Sequence, residues 1–72
     1  MKIRIIDRIR YRINTERIEH NLRMTSRYGC DREIADEYYS KAREIVKRTI
    51  PIAQRLGKST QEKQALEIIL KA

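Results

Sequence analysis

The chain has 72 residues, with 17 lysines and arginines against 10 acids and a net charge of +7. That length allows one domain, which buries only about 60% of the surface its unfolded form exposes. The one cysteine, Cys30, excludes an internal disulfide, and with the one histidine, His20, it cannot complete a four-ligand structural zinc site. No metal and no other cofactor is expected, and a second subunit is the remaining common source of stability for so small a chain.

A lone cysteine fits a reducing compartment. No apolar run approaches the roughly 18 residues of a membrane span, and the first thirteen residues interleave isoleucine with charge in a way that no signal-peptide core does. A cytoplasmic protein without membrane attachment is expected, in the host cytoplasm if the source is viral. Arginine supplies 11 of the 17 cations. Residues 1–28 hold eight basic and three acidic side chains, residues 29–50 five and five, and residues 51–72 four and two. A polyanion, nucleic acid ahead of lipid, is the simplest partner for the basic N-terminal third.

Residues 1–13 alternate. Met1, Ile3, Ile5, Ile9, Tyr11 and Ile13 occupy odd positions, and Lys2, Arg4, Arg8, Arg10 and Arg12 occupy even ones, with Ile6 and Asp7 out of phase. Period two and β-branched residues predict a strand or extended arm. A helical reading competes, because Ile5, Ile6, Ile9 and Ile13 share one face of a 3.6-residue wheel. Asn14 and Thr15 are cap residues and predict a break. A helix follows over residues 15–28, with Ile18, Leu22 and Thr25 as its stripe. Gly29 ends it by taking the left-handed conformation cheaply.

Asp31 caps a second helix over residues 31–50, in which Ile34, Ala35, Tyr38, Ala42, Ile45, Val46 and Thr49 keep a three-four rhythm. Pro51 kinks or breaks it, and Ala53 and Leu56 extend the rhythm as far as Gly57. Ser59 to Glu62 forms a capping box for a last helix over residues 60–71, which carries Ala65, Leu66 and Ile69. Tyr38 belongs to the core, Tyr39 to the surface, and His20 to solvent. No glycine-rich phosphate loop, paired-carboxylate motif or metal-ligand cluster stands in the sequence, so an enzyme is not expected.

A strand needs a partner for its backbone, and the other available strand belongs to a second copy. On Arg8-Ile9-Arg10-Tyr11-Arg12-Ile13, the cap at Asn14 and Thr15, Ile18 and Leu22, the Tyr28-Gly29-Cys30-Asp31 turn, and Ile34, Ala35 and Tyr38, the chain resembles the ribbon-helix-helix DNA-binding repressors. The resemblance implies a mainly α homodimer of strand-helix-helix units, here with an extra C-terminal helix. It implies an arginine-lined ribbon in the major groove of double-stranded DNA, with Arg8, Arg10 and Arg12, extended by Lys2 and Arg4, reaching the bases. Gly29, Cys30 and Arg32 would meet a phosphate at the start of the second helix. Ile9, Tyr11, Ile13, Ile34, Tyr38 and Ile45 would form the dimer interface. The function that follows is a transcriptional regulator or repressor of viral, phage or plasmid type. The alternative is an all-helical protein-interaction module, an inhibitor or adaptor of a host protein, in which the first thirteen residues form a basic amphipathic helix.

Overall fold

A 26-residue helix, α1 (Lys2–Arg27), occupies the segment expected to hold a strand, a break and a short helix. Its cause lies in a seam of residues spaced four and three apart: Asp7, Tyr11, Asn14, Ile18, Asn21 and Thr25. Each of these is buried or half-buried, so one continuous helical face turns toward the rest of the chain. Asp7, Asn21 and Thr25 among its polar members are hydrogen-bonded locally or across the fold. Asn21 Nδ2 donates to the Arg17 carbonyl at 2.9 Å, and Thr25 Oγ1 donates to the Asn21 carbonyl at 2.8 Å. Thr15, expected as a cap, instead donates its hydroxyl back to the Arg12 carbonyl at 2.9 Å within the uninterrupted helix.

The computed structural model describes the backbone of residues 2–71 and the side chains of residues 5–71. Among them no strand occurs, and α1 is followed by α2 (Arg32–Arg55) and α3 (Thr60–Lys71). The strand-helix-helix fold is therefore overturned, and with it the two-copy ribbon that the strand required. Isoleucine's preference for pleated surfaces is worth little beside tertiary packing, which here acts through the seam and not through Ile5, Ile6, Ile9 and Ile13.

The turn after α1 forms without a positive backbone angle at Gly29, contrary to expectation. Gly29 donates to the Ser26 carbonyl at 3.2 Å, and a Cβ there would lie 3.3 Å from that oxygen. Close approach, and not handedness, is what favours glycine at this position. Asp31 does cap α2, accepting from the Ile34 amide at 3.4 Å. The helix runs through Pro51 to Arg55 as one element, so the continuation is realised and the separate short helix is not. At Gly57, with φ of 65°, the backbone turns left-handed. Lys58 N–H bonds the Ala53 carbonyl at 3.1 Å and Gly57 N–H bonds the Gln54 carbonyl at 3.2 Å, the paired bonds of a Schellman stop. Ser59 Oγ then accepts from the Glu62 amide at 3.3 Å, opening α3.

The order is down, up, down, with α2 in the middle. It packs against both α1 and α3, whereas α1 and α3 make no close backbone approach to one another. The result is a slab of 45 × 20 × 14 Å. Its core is slight: Ile18, Val46, Ala53 and Leu66, with Tyr11, Leu22, Ile45, Ile50, Ile69 and Leu70 packed around them. Val46 and Thr49 are fully buried, and Thr49 satisfies its hydroxyl on the Ile45 carbonyl at 2.7 Å. Tyr38 and Tyr39 are both half-buried. Tyr39, expected at the surface, donates to the Ile69 carbonyl at 2.9 Å and so fastens the end of α3 to α2.

Candidate interaction surface

Because the seam of α1 points inward, four isoleucines on its opposite side point out. Ile5, Ile6, Ile9 and Ile13 are 61%, 49%, 55% and 43% exposed. At 3.6 residues per turn they share an arc of roughly 100°, on the far side of the helix from Asp7, Tyr11 and Ile18. Four half-exposed isoleucines in one line form a contiguous apolar patch, which is more informative than any single exposed aliphatic residue. Arginine borders it on both sides. Arg12 flanks one edge, while Arg10 and Arg17 flank the other, all of them exposed. Arg12 leans along the helix to Glu16 at 3.5 Å, both largely in solvent, an arrangement too weakly held to occupy the guanidinium.

A second apolar feature lies in the cleft between α1 and α3. Ile18 and Leu22 line it from one side, Ala65, Leu66 and Ile69 from the other, around a volume of about 200 Å³. Tyr11 bridges its mouth, donating to Glu62 Oε2 at 2.8 Å. The Lys58 ammonium sits 4.7 Å from the centre of the same ring. Burial foremost, and then the bond to Glu62, push the Tyr11 phenol up to about 12.

The residues expected at a DNA contact do not converge. Arg8, Arg10 and Arg12 wind around α1 instead of lining one side of a strand. Lys2 and Arg4 also fall in α1, but their side chains lie outside the described residues. Gly29, Cys30 and Arg32 are exposed at the α1–α2 turn, about 30 Å along the helix from Arg8. The thiol of Cys30 is free. Of the residues expected at a dimer interface, Tyr11 and Ile45 pack on the chain's own core. Ile34 and Tyr38 are half-buried, and Tyr38 stacks on Tyr28 with ring centroids 5.9 Å apart. Ile9 and Ile13 remain outside, on the patch.

The competing helical reading of the sequence groups these same four isoleucines and gives them either to the other helices or to a partner groove; the structure keeps them off the other helices. The signal that marks the inward side is the alternative seam through Asp7, Asn14, Asn21 and Thr25, hidden because these four members are polar. The chain matches no known protein-family model, no curated protein and no solved structure.

Proposed function

We propose that this chain is a non-enzymatic protein-interaction module whose isoleucine face on α1 receives an amphipathic helix with acidic flanks. The observation that carries the proposal is the exposure of Ile5, Ile6, Ile9 and Ile13 on one arc with arginine on each side. Ile6, Ile9 and Ile13 follow the three-four spacing of a helix-pairing seam, and so narrow a stripe suits an apposed helix better than a lipid surface, which takes a wider apolar face. The flanking charge selects the partner. A second copy would bring Arg10, Arg12 and Arg17 against their own kind, whereas glutamates beside the seam of a different helix would pair with them.

Magnitudes place the interaction in the weak to moderate range. Completing the burial of four half-exposed isoleucines contributes roughly 3 to 6 kcal/mol at ~1.5 to 3 kcal/mol per fully buried side chain. Association itself costs a comparable amount, so the arginine pairs decide whether binding is measurable.

The test uses two synthetic helices with leucine at the seam positions, one flanked by glutamate and one by lysine. The glutamate peptide binds the full chain and the lysine peptide does not; Ile9→Asp abolishes binding while leaving the circular dichroism spectrum unchanged. Equal binding of both peptides, or binding that survives Ile9→Asp, removes the proposal. So does a dimer in sedimentation that Ile9→Asp dissolves, or tighter binding to phosphatidylserine vesicles than to the glutamate peptide, because either result gives the face another occupant.

A further inference from the structure

A different surface, independent of the isoleucine face, forms where the start of α1 meets the turn between α2 and α3. Arg8, Gln54, Arg55, Leu56, Gly57 and Lys58 enclose an open cavity of about 440 Å³. Three of the six are cations, Arg8 from α1 and Arg55 and Lys58 from the end of α2 and the turn after it, 47 and 50 positions further along the chain. Gathering like charges in one concavity is unfavourable by itself, so the groups that could offset it need to be traced. Asp7 is the neighbouring carboxylate, and Arg55 takes both of its oxygens, at 3.0 and 3.1 Å. The carbonyls at the end of α2 would also attract cations, but those of Ile52, Ala53 and Gln54 already accept from Leu56, Lys58 and Gly57. The next helix begins at Ser59 and Thr60 and presents its positive N-terminal end to the same turn. Among the described residues Arg8 and Lys58 are thus left without a carboxylate partner, although the Lys58 ammonium rests 4.7 Å from the centre of the Tyr11 ring, whose hydroxyl is bonded to Glu62; the Gln54 amide adds a neutral donor to the lining.

We infer that this cavity is an anion site that takes the phosphate group of a phosphorylated ligand, with Arg8 and Lys58 as its charged donors and Gln54 orienting the oxygens. Arginine supplies the planar fork that matches two phosphate oxygens, and lysine a point charge. Arg55, held in place by Asp7, sets the field without having to move. The volume exceeds that of a phosphate alone and lies within the range of small-ligand pockets, so there is room for the group that carries it. Free phosphate compounds and the phosphodiesters of a nucleic acid share this chemistry, and the experiment separates them.

The probe is inorganic pyrophosphate, titrated into the full-length chain at constant ionic strength while backbone amide resonances are followed. The expected result is a saturable shift centred on Gly57 and Lys58. Arg8→Ala weakens it by about ten-fold or more, the loss of one charge-assisted contact, and Arg8→Lys restores part of it. Arg23→Ala, which removes an exposed cation of α1 far from the cavity, changes nothing. A parallel titration with a short DNA duplex names the source: tighter binding of duplex per phosphate, with the same residues shifting, assigns the site to phosphodiesters, and tighter binding of pyrophosphate assigns it to a small ligand. Absence of saturable shifts up to about 10 mM, where a two-cation site should already be filled, overturns the inference. Equal weakening by Arg8→Ala and Arg23→Ala overturns it too, because attraction is then a property of the whole basic surface.

Discussion

Asp7 and Arg55 lie 48 positions apart in sequence and meet as a two-point pair, with Nε and Nη2 of the arginine donating to the two carboxylate oxygens at 3.0 and 3.1 Å. The carboxylate is almost fully enclosed while the guanidinium remains half in solvent. This contact joins the first turns of α1 to the last turn of α2, at the edge of the apolar core beside Tyr11 and Ala53. It explains why the chain begins as a helix that follows α2 along its full length.

The pair predicts an acid-sensitive fold. Hydrogen bonding from Arg55 holds the Asp7 carboxyl below the usual carboxylate range, although burial acts in the opposite direction. A depressed folded value means that the stabilisation is complete above about pH 4, the unfolded value for aspartate, and is lost as pH falls through the folded one. Thermal melts of the wild type should therefore drop by several degrees below that pH. Asp7→Asn should melt lower than wild type at neutral pH and show a shallower acid dependence; parallel pH curves for the two proteins would contradict this.

At the alkaline end Tyr11 is the sensitive group. Its phenol is raised to about 12, so the contact it makes with Glu62 is intact below about pH 10 and is lost as pH rises through the folded value. Absorbance near the phenolate band should show one of the four tyrosines ionising last. Glu62→Gln should bring that step down, since the acceptor no longer carries a charge.

Gly57 and Gly29 should respond differently to alanine. At Gly57 an added Cβ meets nothing within 4 Å, but φ is 65°, so Gly57→Ala should destabilise by about 1 kcal/mol through backbone strain alone. At Gly29 the new methyl would press on the Ser26 carbonyl at 3.3 Å, and a shift of a few tenths of an ångström relieves it. Denaturant midpoints should rank Gly57→Ala below Gly29→Ala, and the reverse order would place the left-handed turn elsewhere.

Pro51 is exposed inside α2 and contributes no amide to the helix, which leaves the Lys47 carbonyl without its intrahelical donor. Pro51→Ala should stabilise the chain by about 1 to 3 kcal/mol. Urea titration reads this directly. A decrease would show that the proline's stiffness in the unfolded chain outweighs the missing bond.

Leu66 is the one deeply buried side chain of α3 among the described residues, so Leu66→Ala should cost about 2 to 5 kcal/mol. Ile13→Ser, by contrast, changes a side chain that is 43% exposed and should move the midpoint by less than about 1 kcal/mol. Comparable losses in the two variants would mean that the isoleucine face is already covered in solution.

Elements with ordinary amphipathic patterns were legible in the sequence. The rhythm of Ala42, Val46, Thr49 and Ala53, the Asp31 cap and the Ser59 half of the capping box describe what α2 and α3 do, whereas the Glu62 carboxylate accepts from Tyr11 in place of completing the box. The opening segment was not legible, because alternation of isoleucine and arginine is the signature of a strand and the true inward face carries aspartate and asparagine. A polar seam can be recognised only when its partners are known, and Arg55 and Glu62 lie in distant parts of the chain. The cavity at Arg8 was hidden for the same reason: its other walls come from the Gly57 turn, whose position depends on how α1 and α2 align.

The missing approach between α1 and α3 gives the molecule two layers of unequal durability. The C-terminal helix lies close to α2 along its backbone and reaches α1 through side chains alone, clasped at its ends by the Tyr39 and Tyr11 hydroxyls and in the middle by Leu66. Its amides should surrender their protons to deuterium well before those of the central helix, since it is half as long and is covered on fewer sides. The smallest excursion of this fold is then a C-terminal flap lifting away, which leaves the paired long helices standing as the part that unfolds last.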